Sequence, residues 1–284
     1  MLSDPPSDLA ERQRWRLDAE EDFARLVRAV LRRVVVGAYE RFTTTLTADG
    51  DLSALDSIPI EWGAAVRLDL TPVLERMNRV GAVSAWNSSP AATRAPVTAA
   101  QNWLAVANEN ARNYALSAEN RLVGVGQGVW ANVNAGVVRA LERGMGTEDL
   151  KGEVERLTRF SEFRADTIAR TEINAAFVGG AYRGEQALGE YGATHKEWLA
   201  AGDARSRESH LDVSGTVVPF DEPFNVDGED LLYPMDPSGS AGNVVNCRCD
   251  LLYYYPGDTL PDGTTVPAAD SGPDLEADED PESP

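Results

Sequence analysis

Apolar residues recur at threes and fours through most of the first 190 positions, and then give way to short apolar segments. From about Arg12 to Thr47, Phe23, Leu26, Val27, Val30, Leu31, Val34, Ala38 and Phe42 fall on one helical face, with arginines and glutamates opposite. A helix of about 35 residues spans about 50 Å at 1.5 Å per residue, a length suited to a bundle or stalk. Two shorter helices with a break near Gly37 fit the same pattern. Residues 48–59, with an Asp-Gly-Asp and a proline, read as a linker. A second helical stretch covers about Ile60 to Val83, where Pro72 is either a kink or the first turn of a new helix. After a break at Ser88–Pro96 the chain is helix-forming from Thr98 to Arg143, interrupted by Gly124, Gly126 and Gly128. No Lys-Ser/Thr pair follows these glycines and no apolar strand precedes them, so they read as a flexible or closely packed helix junction, not a nucleotide loop. Thr147 is placed as the cap of a short helix ending near Leu157. Ser161 is placed as the cap of a stronger one from Glu162 to about Tyr191.

After Gly192 the texture changes. HKEWLAAG, SGTVVPF and LLYYY are short apolar segments separated by Gly, Pro and Asp, and they read as strands. The intervening 221–245 is long for a structureless loop, which predicts that Phe224, Leu231, Leu232, Tyr233 and Met235 pin it to the body. The fold class expected is α+β: an extended helical region over 1–145, a small mixed α/β domain over 146–256 and a disordered acidic tail over 257–284. Residues 1–11, rich in Pro, Ser and Asp, are expected to fray.

Charge changes the picture more than length does. Lys and Arg number 26 against 46 Asp and Glu, a formal net charge of -20, which argues against a general nucleic-acid coat. Only Lys151 and Lys196 are lysines. From Asp250 to Pro284 there are ten acidic residues and no Lys or Arg, the composition of a disordered tail. No run of 18 apolar residues exists, so no membrane span is expected. The start, MLSDPPSDLAERQRW, lacks the basic and apolar regions of a secretory signal. Cys247 and Cys249 cannot staple a large loop, and folding in a reducing cytoplasm is the expectation.

The chemistry-bearing residues lie between Arg170 and Cys249. RTEINAAF at 170–177 gives Arg170, Thr171, Glu172 and Asn174 on a helix. HKEWLAAGDARSRESHLDVSG at 195–215 gives Lys196, Trp198, Asp203, Arg205, Arg207, His210 and Gly215. LLYPMDP at 231–237 and NVVNCRC at 243–249 close the set with Asn246, Cys247 and Cys249. This ordered series resembles the Mu F-like family of phage head morphogenesis, or minor head, proteins. The resemblance covers about the third quarter of the chain and slightly more. It implies a role in capsid assembly or genome delivery in a tailed phage or prophage. The partners it implies are the portal protein, the major capsid or scaffolding protein and packaged DNA. It places the chain in the virion head, and in the host cytoplasm during assembly. Some relatives carry an appended enzymatic or toxin domain at the carboxyl end; the short acidic tail here implies none, and a non-enzymatic protein without cofactor is expected.

The residues also carry readings of their own. Arg170 and Asn174 share a helix face and are expected to bind backbone carbonyls of the strand unit, while Glu172 points elsewhere. If 203–207 is extended, Asp203, Arg205 and Arg207 point to one face. A nuclease-like enzyme would use Arg205 and Arg207 on phosphate and His210 for proton transfer, with Lys196 nearby and Glu172 as a base. The other reading has His210 locking the loop before Gly215. A DNA-contacting internal head protein without catalysis is a further alternative. Cys247 and Cys249 face one side if extended, either as buried packing residues or as zinc ligands with His210 and one more group such as His195. No metal ligand or catalytic residue is assigned from sequence. The tryptophans at 15, 62, 86, 103, 130 and 198 are dispersed and form no stacking platform for single strands.

Overall fold

The computed structural model describes residues 9–45, 58–145 and 147–267. In chain order it contains α1 (Leu9–Thr45), α2 (Ile58–Ala65), a π-helical turn (Val66–Leu70), α3 (Thr71–Ser88), α4 (Ala91–Arg94) and α5 (Val97–Glu142). Then come α6 (Thr147–Ala187), a 3-10 turn (Gly189–Tyr191), β1 (His195–Leu199), α7 (Glu208–Asp212) and β2 (Val217–Pro219). The chain continues with β3 (Phe224–Val226), β4 (Glu229–Leu231), α8 (Ala241–Val244) and β5 (Asp250–Tyr254). The architecture is a helix-rich amino-terminal region joined to a small mixed unit with two short sheets. No described helix is long and apolar enough to cross a membrane.

Helix α1 is continuous past Gly37 and buries Trp15, Ala19, Phe23, Val27, Val30, Leu31 and Val34. Pro72 lies in the first turn of α3. It has no N–H to donate, and the π turn just before it widens the helix where its ring would crowd the preceding carbonyls. The Gly124–Gly128 segment does not interrupt α5, contrary to the sequence expectation. Gly126 instead receives the Trp62 indole, which a Cβ would meet at 1.9 Å, and Trp62 Nε1 donates to the Leu122 carbonyl at 2.8 Å. Nor is there a break before Ser161. One 41-residue helix, α6, replaces the two expected ones. It packs against α1, α3 and α5.

The α3–α6 crossing is built on glycines. A Cβ at Gly81 would stand 2.1 Å from the Phe177 carbonyl oxygen, one at Gly180 2.0 Å from the Asn78 carbonyl oxygen, and one at Gly184 2.9 Å from Ala82 Cα. At that separation Asn78 Nδ2 reaches the Ala176 carbonyl at 2.9 Å. The larger hydrophobic cluster runs from Trp15 through α6 to Leu251, across the expected boundary between 145 and 146, and a smaller one surrounds Trp103 and Leu188.

The three-stranded sheet has the order β2-β1-β5, all antiparallel, with His195 opposite both Pro219 and Tyr254. Strands β3 and β4 form a hairpin over Asp227 and Gly228, both at positive φ, as a two-residue type I′ turn requires. Phe224, Leu231, Tyr233 and Met235 are buried and Leu232 packs against the core, so 221–245 is pinned as the pattern predicts. The acidic tail does not begin at 257. Gly257 donates to the Val266 carbonyl at 2.9 Å, Thr259 bridges Thr265, and Val266 is 2% exposed. The rest of the expected tail, 268–284, lies outside the described residues, as do residues 1–8 and the linker at 46–57.

Lys196 is fully buried on β1. Its ammonium lies 4.9 Å, 5.5 Å and 5.4 Å from the ring centroids of Tyr182, Phe220 and Phe224, and it has no hydrogen-bond partner. Burial pulls its pKa down to about 8, against the opposing pull of Asp221 and Asp236. Cation–π attraction offsets only part of the cost of taking an ammonium out of water.

Two predictions follow from this packing. Gly180→Ala should lower unfolding free energy by about 3 kcal/mol or more, because backbone must move. Gly124→Ala, with open space around it, should raise stability by up to about 1 kcal/mol. Urea unfolding of both variants checks the pair, and equal midpoints would contradict the close crossing. Lys196→Met should stabilise the protein at pH 7 by about 1–3 kcal/mol. Between pH 8 and 10.5 the unfolded chain binds the Lys196 proton and the folded chain does not, so wild type gains stability as pH rises. The advantage of Lys196→Met should therefore shrink by about 2 kcal/mol across that window. A constant difference in thermal midpoint from pH 7 to 10.5 would contradict a depressed Lys196 pKa.

Candidate functional site

His210, Cys247 and Cys249 converge beneath β1. The donor atoms of the three lie within 4.8 Å of one another, and all three residues are buried. His210, on α7, places Nδ1 3.3 Å from Cys249 Sγ and 3.6 Å from Cys247 Sγ. Its other nitrogen, Nε2, faces Asn243 Oδ1 at 3.4 Å. The Trp198 ring meets the imidazole edge-on at 5.6 Å. The two cysteines precede β5 and both face His210, while Arg248 between them turns the other way to Asp203. Hydrogen bonding from Cys247, together with His210, draws the Cys249 pKa down to about 5. The same hydrogen bond and burial push Cys247 well above the usual thiol value.

Several sequence-singled residues hold this cluster in place. Asn246, at φ 60, turns the chain into Cys247; its N–H donates to Thr171 Oγ1 at 3.0 Å and its Oδ1 accepts from Arg170 at 3.1 Å. Asn is among the few side-chain-bearing residues that tolerate this left-handed conformation. Arg170 also pairs with Glu20 on α1 at 3.5 Å, and Asn174 donates to the same carboxylate. These two residues therefore bind side chains of α1 and of the carboxyl-terminal segment, not the strand-unit carbonyls expected. Gly215, at φ 84, donates to the Trp198 carbonyl at 2.8 Å and returns the chain along β1.

The nuclease-like constellation is not assembled. Residues 203–206 form a turn rather than an extended segment, with the Ser206 N–H on the Asp203 carbonyl and the Arg205 N–H on Asp203 Oδ1. Asp203 takes a two-pronged pair from Arg248, which holds its carboxyl well below the usual range. Arg207 donates to the Val245 carbonyl, Arg205 is exposed, and His210 is 2% exposed. Lys196 sits in its aromatic cage. His195, suggested as a fourth zinc ligand, hydrogen-bonds Thr194 Oγ1 at 3.1 Å and is not part of the cluster.

Glu172 faces a second feature, a cavity of about 630 Å³ between α5, α6 and the 233–245 segment. Arg121 pairs with its carboxylate at 2.7 Å and Tyr114 Oη donates to it at 3.2 Å. Burial, then the neighbouring Glu172 charge, raises the Tyr114 pKa well above its ordinary value. Tyr114, Arg121, Asn243 and Arg248 escaped the sequence reading. Arg248 was visible inside Asn-Cys-Arg-Cys, but the others carry no local signal.

Comparison with known proteins bears on this same segment. Residues 131–252 match the family described as "Phage Mu protein F like protein", from within α5 to β5. The chain is 33% identical over 119 residues to "Uncharacterized protein YqbB" of Bacillus subtilis, covering 40% of this chain and 38% of that one. It is 26% identical over 141 residues to "Minor head protein GP7" of Bacillus phage SPP1, covering 47% and 46%. It is 29% identical over 127 residues to "NAD(+)--arginine ADP-ribosyltransferase EFV" of Enterococcus faecalis, covering 44% and 26%. The chain thus spans less than half the length of these curated relatives. No solved structure matches it. The expectation of a non-enzymatic protein is overturned by two of these findings: a buried His-Cys-Cys cluster able to hold a metal, and a relative that bears an enzyme's name. Residues 131–252 are thus similar to the phage Mu F-like family, and the overlap with a relative named a minor head protein agrees with that likeness.

Proposed function

We propose that the protein is a minor component of a phage or prophage head, acting in capsid assembly or genome delivery and contacting the portal protein. The observation that carries this reading is the match over 131–252, which takes in every residue from Arg170 to Cys249. The relative named a minor head protein supports it. The surface is suited to protein contact, because α5 is about 69 Å long at 1.5 Å per residue and exposes Leu104, Val106 and Leu116. On this reading the 146–256 unit, extended to 267, is the working part, and the helices before 146 form the contact region. Arg170 and Asn174, which meet Glu20 of α1, tie the two together.

A second reading, catalysis, is favoured by the His210–Cys247–Cys249 cluster and by the name of the Enterococcus relative. It is compatible with residence in a head.

Mass spectrometry of purified particles and of assembly intermediates, from phage with and without this gene, tests the first reading. The protein should be present in one or both, and co-purify with the portal. Absence from both would overturn a head role. Incubating the purified chain with NAD+ and measuring released nicotinamide tests whether the activity named for the relative extends to this chain.

A further inference from the structure

From the geometry of one cluster we infer that His210, Cys247 and Cys249 bind a zinc ion, with water as the fourth ligand. This goes beyond the head role and does not depend on it.

The separations fit. For Zn–N of about 2.05 Å and Zn–S of about 2.3 Å at tetrahedral angles, the N···S edge is about 3.6 Å. The two observed Nδ1···Sγ separations are 3.3 Å and 3.6 Å, close to that edge, and the two sulfurs lie within 4.8 Å of each other, where a tetrahedral zinc needs about 3.8 Å.

The protonation pattern fits as well, and it can be followed outward from the backbone. Asn243 Nδ2 donates to the Val226 carbonyl at 3.2 Å, which fixes the orientation of the amide and turns Oδ1 toward His210. An amide oxygen has no proton to give, so Nε2 of His210 carries the hydrogen in that contact. The lone pair of a neutral imidazole then sits on Nδ1, aimed at the two sulfurs. Orientation of a ligating histidine through its far nitrogen is the usual second layer of a zinc site. Asn243 is therefore a positioning residue, held by the β3 backbone.

The donor set favours zinc by its chemistry. Two thiolates and one imidazole are soft and borderline ligands, and two thiolates neutralise the dipositive ion within a buried site. Both sulfurs bind as thiolates, and any thiol proton still present goes to solvent as the Sγ–Zn bond forms. Among the described residues no fourth His, Cys, Asp or Glu joins the group, which leaves one position for water. The chain path suits a clip: α7 and the 247–249 segment are brought together from the two flanks of β1. The rival is a metal-free cluster in which the thiols hydrogen-bond Nδ1.

Elemental analysis of the full chain, purified without chelator under reducing conditions and then equilibrated with zinc, should find about one zinc per chain. Cys247→Ser and Cys249→Ser should each lose it. The wild-type chain stripped with a chelator provides a second readout that does not depend on the variants folding. Zinc added back should raise its thermal midpoint, and cobalt added in its place should give thiolate-to-cobalt charge-transfer absorption. Asn243→Leu should weaken zinc about 10- to 100-fold while keeping one site per chain at saturation. Substoichiometric zinc in the wild-type chain, with no response to added metal, would overturn the proposal. So would bound zinc that survives replacement of both cysteines in a folded variant.

Discussion

Helix α6 can lie against α3 at backbone contact only because glycine occupies 81, 180 and 184. The consequences extend well past the crossing. With α3 this close, Trp103 of α5 reaches the Gly184 carbonyl at 2.9 Å and meets the Trp86 ring of α3 at a tilt of 39°. The outer faces of α6 are then set. One presents Thr171 and Arg170 to Asn246, and so fixes where the Cys247–Cys249 segment begins. Another presents Tyr182 to Phe220, Tyr233 and Lys196, the aromatic layer under the small sheet. The position of the cluster is therefore set by a helix crossing that involves none of its own residues.

How much of this was legible in the sequence depended on how local the cause was. The apolar stripe of α1 was legible because its buried residues and its charged face alternate within one helix. The strands of the small sheet were legible for the same reason, being short apolar runs bounded by turn residues. Ser161 misled because capping preference is a weak prior, and a serine that can cap a helix can also lie inside a continuous one. The glycines of α5 misled in a similar way. Each costs about 1 kcal/mol relative to Ala in a helix, and the sequence shows that cost without showing the Trp62 indole that occupies the space at Gly126. The closure over 257–267 rests on one apolar residue, Val266, among polar neighbours, and no periodic pattern announces a single side chain.

The site divides along the same line. Helical spacing correctly separated Glu172 from Arg170 and Asn174. It did not reveal that Glu20 comes from α1, or that Arg121 and Tyr114 come from α5 to meet Glu172. For the cysteines, the sequence clues were their spacing of two and the presence of both histidines of the chain in the same region. The structure separates those histidines. His195 is hydrogen-bonded beside Thr194 at the start of β1, and His210 faces the sulfurs. Asn243, which orients His210, had no signal, since a lone Asn after a glycine reads as a turn residue.

The described arginines explain how a strongly acidic chain builds such a junction. Arg16, buried over the Phe177 ring, ties α1 to β5 through Asp250 at 2.9 Å. Arg170 joins α6 to Glu20 of α1, Arg121 joins α5 to Glu172 of α6, and Arg248 clamps Asp203. Arg207 caps an internal carbonyl. Arg is suited to these places because its planar fork satisfies several acceptors from one rigid group. Lys196 shows the contrast: a buried ammonium at the same junction has rings around it and no acceptor. Cations committed to internal carboxylates and carbonyls are not free to displace counterions from a nucleic-acid backbone, and the excess of acids repels a polyanion at long range. The exposed apolar side chains of α5, Leu104, Val106 and Leu116, are where a protein contact would gain most from leaving water.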